Sequence, residues 1–250
     1  MKSEEQTEVQ VYPRSVTEVD GTRFSLVRTE GQKWLAVQGD WQGFEGEERA
    51  GSLLCPLTAI NAAALRERLP WLNPQPLALK LSAGCGDRLG PATPGHIRAL
   101  RNADGILPIL AQQSMRENAR TGRSPQQVLD DAMWGVFQEG WRQPWGADAD
   151  HLMTTADVDL CVAAGYTFYT VDPGEHVDNE AHSAPMEVLK EKVHALPWSD
   201  LADAPDKLYE RYLGVEFDVE GWTIVFDEIA LARAAAKYGR AVAHTCLLYT

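Results

Sequence analysis

The feature that most constrains this chain is a repeated order of short apolar runs and amphipathic stretches between residues 77 and 176. It is clearest in Gly146 to His176, GADADHLMTTADVDLCVAAGYTFYTVDPGEH, which reads as strand, helix, strand. The first strand runs into Asp148-Ala-Asp150-His151, and the second, Tyr166 to Val171, runs into Asp172-Pro-Gly-Glu175-His176. Thr154-Thr-Ala-Asp157 suits a capping box, because a threonine oxygen and a carboxylate three residues on satisfy free amides at a helix start. The helix carries Val158, Cys161, Val162 and Ala164 on one side, and Gly165 suits a left-handed cap.

Upstream the same order recurs. Leu77 to Leu81 reads as a strand, followed by the loop Ser82-Ala-Gly-Cys-Gly86-Asp87-Arg88-Leu-Gly90. Thr93-Pro94 opens a helix ending near Gly105. Ile106 to Ala111 is the next strand, ending in Gln112-Gln113-Ser114 ahead of Arg116 and Glu117. Ser124-Pro125 caps a helix whose Val128, Leu129, Ala132, Met133, Val136 and Phe137 form one apolar stripe. Successive β-then-α units imply a parallel sheet with right-handed crossovers. Polar residues gathered at strand C-termini favour an α/β (β/α)-barrel of the TIM type over an open sheet.

Residues 1–55 are β-leaning, with strands at Thr22–Val27 and Lys33–Val37 around the turn Glu30-Gly31-Gln32, and read as a small β-rich leader. Residues 56–250 form the barrel domain, beginning with a helix from Leu57 to Leu69 and the rigid connector Pro70-Trp-Leu-Asn-Pro-Gln-Pro. A barrel needs about eight units, yet four clear ones fit before Asp172. Residues 180–222 look like an excursion, and Ile224 to Ala243 like a last amphipathic helix. The chain is therefore expected to be the N-terminal part of a longer protein, holding an incomplete barrel.

Charge and composition narrow the partners. The net charge of -13 offers no basic stripe for phosphates and argues against a nucleic-acid binder. MKSEEQTEVQ is acidic and reads as no signal peptide, and no apolar run approaches the roughly 20 residues a membrane span requires. Four cysteines without CxxC spacing read as reduced thiols.

Two histidines after consecutive strands, His151 and His176, with Asp150, Asp172 and Glu175 nearby, suit a mixed histidine–carboxylate site for a divalent cation such as Zn or Mn. Asp150, His151 and His176 are the candidate ligands, and Asp172 and Glu175 the candidate acid/base groups, joined by Asp87. The Gly-rich loop offers backbone amides for an oxyanion or, equally, a tight turn with an internal Asp87–Arg88 pair. Arg88 and Arg116 suit two-pronged contact with a carboxylate. Gln112 and Gln113 offer amides of the kind sugar hydroxyls require. No HExxH, GxSxG, GxGxxG or P-loop pattern is present. Trp134, Trp141 and Trp145 read as packing residues, and Glu139 beside them as a solvated helix residue before an acid/base.

Several long runs then carry a resemblance. CPLTAINAAALRERLPWLNP, GDRLGPATPGHIRAL, AQQSMRENARTGRSPQQVLDDAMWGVFQEGW and GADADHLMTTADVDLCVAAGYTFYTVDPGEHVDN, in that order, resemble the tagaturonate epimerase family from about Tyr12 to His244. The resemblance implies a cytoplasmic, divalent-metal-dependent isomerase (Zn, Mn or Ni) acting on a small sugar acid, interconverting D-tagaturonate and D-fructuronate. Homo-oligomerisation is left open. The family is longer, so this length of chain is expected to be inactive alone. Met153 stands where a lysine is expected, and Cys85 and Pro91 replace bulky apolar residues. The closing CLLYT resembles a translated adapter tail.

Overall fold

The structure, a computed structural model, describes residues 9–249. Residues 1–8, which carry most of the acidic stretch read above as lacking a leader, and residue 250 lie outside them. The chain divides into two compact units, one of residues 1–152 with 157–170 and one of 153–156 with 171–250.

The first unit begins with an antiparallel sheet of β1 (Gln10–Val11), β2 (Thr17–Val19), β3 (Thr22–Thr29), β4 (Gln32–Gln38), β5 (Glu47–Arg49) and β6 (Ser52–Cys55). The β3–β4 hairpin expected around Glu30-Gly31 is present, with φ of 54° and 80° at these two residues. Positive φ at both central positions is what a two-residue hairpin matched to strand twist demands, and glycine supplies one of them without strain. Phe24, Leu26, Leu35, Val37 and Cys55 from this sheet are buried in the same apolar cluster as the helices that follow.

Helix α1 (Ala59–Arg68) is capped by Thr58, whose side chain accepts from the Asn61 amide. A four-stranded parallel, curled half-barrel sheet follows, in the order β10–β9–β8–β7, from β7 (Ser82–Gly84), β8 (Leu107–Ser114), β9 (Gly146–Leu152) and β10 (Phe168–Val171). Between strands lie α2 (Thr93–Leu100), α3 (Met115–Thr121), α4 (Pro125–Glu139) and α5 (Thr155–Ala164).

One strand moved. Leu77 to Leu81, expected as the first strand, forms a turn in which Lys80 N donates to Leu77 O, and β7 is Ser82–Gly84, paired parallel with Leu107–Ile109. Leu77 is buried, but Leu79 and Leu81 are exposed, so the apolar run never acquired two covered faces. Ala83 and Gly84 pair instead because their small side chains let the Gln112 amide of β8 lie close. A Cβ on Gly84 would stand 2.4 Å from Gln112 Oε1.

The apolar stripe of α4 is buried as expected, and Trp134, Trp141 and Trp145 join the core. Glu139 does not behave as a solvated helix residue. It is 3% exposed and binds Arg14 at 3.1 Å and Arg98 at 2.7 Å. Desolvating a carboxylate is tolerable only with such partners. Its pKa lies below the usual range: burial pushes it up, but hydrogen bonds from Arg98 and Gln138, with the Arg98 charge, overcome that.

In the second unit, residues 180–222 are more ordered than the sequence suggested. They contain α6 (Met186–His194), α7 (Pro205–Tyr212) and β11 (Glu216–Val219), which pairs with β12 (Trp222–Val225) across Glu220-Gly221. Ile224 is therefore a strand residue, and α8 runs from Glu228 to Tyr249. Thr223, Ile224 and Val225 are β-branched and follow a Glu-Gly turn, which outweighs their proximity to the helical repeat. Ala181, Leu189, Val193, Ala232 and Ala236 form a second core cluster.

Candidate active site at the strand ends

The parallel strands β8 and β9 bring Gln112 opposite Asp148 and Ser114 opposite Asp150. Asp148 is 3% exposed. Its Oδ2 accepts from Gln112 Nε2 at 2.9 Å, and its Oδ1 accepts from the Thr170 hydroxyl at 2.9 Å. Burial raises its pKa against the opposing effect of these two hydrogen bonds, and the Asp150 charge adds to the rise. Gln112 Nε2 is thereby committed to the protein, and the amide lies against Gly84, while Gly86 stands beside the Gln112 carbonyl. Four strands thus meet at one edge.

Two residues on, Asp150 Oδ1 lies 2.5 Å from His151 Nδ1. His151 has φ of 55°. A side-chain-bearing residue in the left-handed region is strained, and such strain concentrates at functional sites. It lies one residue before the end of β9, with the imidazole more than half exposed beside the carboxylate that orients it.

The remaining expected residues take other positions. Asp87 folds its own loop: Oδ1 accepts from Leu89 N and Gly90 N at 3.0 Å each, and Oδ2 from Ala92 N at 2.6 Å. The Asp87–Arg88 pair does not form, because Arg88 reaches Glu117 at 2.6 Å. Gln113 is buried and bonded to Arg123 and Thr121, on the other side of β8 from Gln112. Arg116 is exposed on α3. Arg123, which sequence reasoning missed, joins the Asp87 carbonyl, Gln113 and Asp131, and so fixes the Gly-rich loop against β8 and α4.

Asp172, Glu175 and His176 belong to the second unit. Asp172 Oδ1 accepts from Gly174 N at 3.0 Å, and Glu175 is exposed. His176 stacks on His244 with ring centroids 3.9 Å apart, and His244 Nε2 lies 2.9 Å from the carbonyl of Met153. Among the described residues no three His, Cys, Asp or Glu side chains gather into a metal-ion cage. The side chains present therefore do not by themselves fit a complete divalent-metal site.

Asp148 and Thr170 are candidate residues that the sequence did not single out. The available signal was a carboxylate among the small residues that open the strand, which must find buried partners or not fold there.

The comparisons agree with this geometry. Residues 12–250 match the sequence profile of the tagaturonate epimerase family, a range that extends past His244. A tagaturonate/fructuronate epimerase of Thermotoga maritima is 39% identical over 247 residues, covering 96% of this chain and 50% of that protein. The native and glycerol-complexed crystal structures of the fructuronate-tagaturonate epimerase of Cohnella laeviribosi superpose with a TM-score of 0.87 at 39% identity. They cover 97% and 96% of this chain and 49% of theirs, so the chain spans about half the length of these relatives. With nearly the whole chain matched in sequence and the half-barrel superposed, the protein belongs to the tagaturonate epimerase family.

Proposed function

We propose that this protein supplies half of a tagaturonate–fructuronate epimerase, with the Gln112–Asp148–Thr170 edge and the Asp150–His151 pair facing the sugar acid. The observation that carries it is the buried Asp148 held by Gln112 and Thr170 inside a parallel sheet, below the strand ends where barrel enzymes place their chemistry.

The carbinol carbon to be inverted is β to the ketone, so enolisation does not acidify its hydrogen. Retro-aldol cleavage does the inversion. The carbinol O–H gives up its proton, the adjoining C–C bond breaks, and its electron pair passes into an enediolate on the ketone half. The aldehyde turns over, the bond re-forms on its other face, and the proton returns. A carboxylate, Asp172 or Glu175, is the proposed group that takes and returns that proton. Gln112, with its Nε2 held by Asp148, presents its carbonyl to a substrate hydroxyl. Asp150 and His151 in the first unit, and His176 in the second, are each proposed as donors towards a divalent cation (Zn, Mn or Ni), which when bound would supply Lewis-acid stabilisation of the developing negative charge. Asp172 and Glu175 are proposed to serve from the second unit, and Arg88 and Arg116 to meet the carboxylate. A cytoplasmic location belongs to the same proposal.

The test is to incubate this 250-residue chain, and the same sequence extended to the family's full length, with fructuronate and added Mn or Zn. The extended protein is expected to form tagaturonate and the 250-residue chain none. Triose-sized products would replace epimerase by aldolase. Binding without turnover by the extended protein would leave only a sugar-acid binder.

A further inference from the structure

At the opposite end of the same strands, the first unit gathers cations around one buried carboxylate. Glu139 closes α4, and Gly140 after it adopts φ of 56°. A Cβ on Gly140 would lie 2.3 Å from the Arg14 carbonyl oxygen, so the glycine lets the turn at Pro13–Ser15 press onto the helix end. Arg14 Nη1 donates to Glu139 Oε2 at 3.1 Å, and Arg98 donates to Oε1 through Nε at 3.1 Å and Nη2 at 2.7 Å. Arg101 Nη2 instead takes the Glu139 main-chain oxygen at 2.5 Å, and its guanidinium lies over the Trp141 ring at 5.7 Å. These residues, with Tyr12 and Asn102, line a cavity of about 460 Å³.

We propose that this cavity is a binding site for a small oxyanion, a carboxylate or phosphate group on a metabolite, separate from the strand-end site. Charge decides it first. Arg14 and Arg98 bind the one carboxylate and Arg101 the main-chain oxygen of the same residue, a local surplus of two positive charges in a chain of net charge -13. Nearby Lys33, bonded to Gln138 Oε1, is held below its usual pKa by burial and then by the charges of Arg28 and Arg98, against the opposing charge of Glu139. Hydrogen-bond accounting agrees. Each guanidinium carries five N–H groups, and these three place only four of them on Glu139. Donors exceed acceptors, and an oxyanion supplies acceptors and negative charge together.

The place also separates it from catalysis. Arg98 and Arg101 lie at the end of α2, before β8 begins, and Glu139 lies before β9 begins. At ~3.3 Å per strand residue, the five residues from the start of β8 to Gln112, which pairs with Asp148, put the cavity roughly 16 Å or more from Asp148. An anion there would act as an effector rather than as substrate, tightening the Pro13–Ser15 turn, α2 and α4 against one another.

The experiment is isothermal titration of the 250-residue protein with inorganic phosphate and, separately, glucuronate, at constant ionic strength set by chloride. One saturable site is expected, at least about tenfold weaker in Arg101→Gln and unchanged in Arg49→Gln, which alters an exposed arginine of the β-sheet. Arg101→Gln keeps both guanidiniums on the Glu139 carboxylate, so the fold survives it; Arg14→Gln is expected to weaken binding similarly. A response to phosphate alone assigns a phosphate ligand, and to glucuronate alone a carboxylate. No saturable binding of either below about 10 mM, or binding that Arg101→Gln leaves intact, overturns the proposal.

Discussion

Gln112 and Asp148 sit opposite one another on adjacent parallel strands, and Gln112 Nε2 lies 2.9 Å from Asp148 Oδ2. The pair ties a neutral, strand-end amide to a buried carboxylate, and Thr170 closes the carboxylate from the other side at 2.9 Å. An asparagine at 148 can still accept from Gln112 and donate to the Thr170 hydroxyl. Asp148→Asn in the full-length enzyme is therefore expected to melt within a few degrees of wild type. It is expected to lose about 10²-fold in kcat, read by coupled chromatography of tagaturonate. Wild-type turnover in this variant would remove Asp148 from the site.

Arg66 and Asp130 bind at 2.7 Å between α1 and α4, with side-chain exposures of 12% and 7%. Arg66→Ala leaves a buried carboxylate unpaired and is expected to cost about 3 kcal/mol at pH 7 by urea denaturation. The pH dependence has a definite sign. Burial already holds the Asp130 pKa above its usual value, with Arg66 opposing. Without Arg66 the folded state binds the proton still more strongly than the unfolded chain. Its deficit should be smallest below about pH 4, the unfolded aspartate value, and should grow as pH rises through the folded pKa. A deficit that grows on acidification would contradict this.

Gly135 lies where α4 crosses α2, and a Cβ there would stand 2.6 Å from Thr93 Cβ and Cγ2. Alanine gains about 1 kcal/mol of helix propensity. Thr93 is β-branched and fully buried, so it cannot swing aside and the helices must separate. Gly135→Ala is expected to destabilise by about 1–3 kcal/mol net, measured by thermal or urea unfolding. A stabilised variant would show that the two helices have slack.

His151 holds φ of 55° at the end of β9. Glycine removes the Cβ penalty of that conformation, and the exposed Asp150–His151 contact contributes little to folding. His151→Gly is expected to raise stability by about 1 kcal/mol while abolishing turnover of the full-length enzyme. Lower stability together with full activity would make His151 a structural residue.

The sequence by itself determined whatever rests on local chemistry. Ser124 caps its helix as its spacing requires, Glu30-Gly31 makes its hairpin, and the stripe of α4 is buried. It also placed Gln112, Asp150 and His151 at strand ends, because the β-then-α order aligns strand C-termini along one edge. What only the tertiary structure decided concerns partners far apart in the chain. Leu79 and Leu81 have the composition of a buried strand, but nothing covers them, and pairing begins at Ser82 where the Gly84 backbone admits Gln112. Glu139 reads as a solvated helix residue until the fold brings Arg14 from 125 positions away and Arg98 from 41. A carboxylate's environment is set by which cations the fold delivers to it, and neither propensity nor periodicity carries that information.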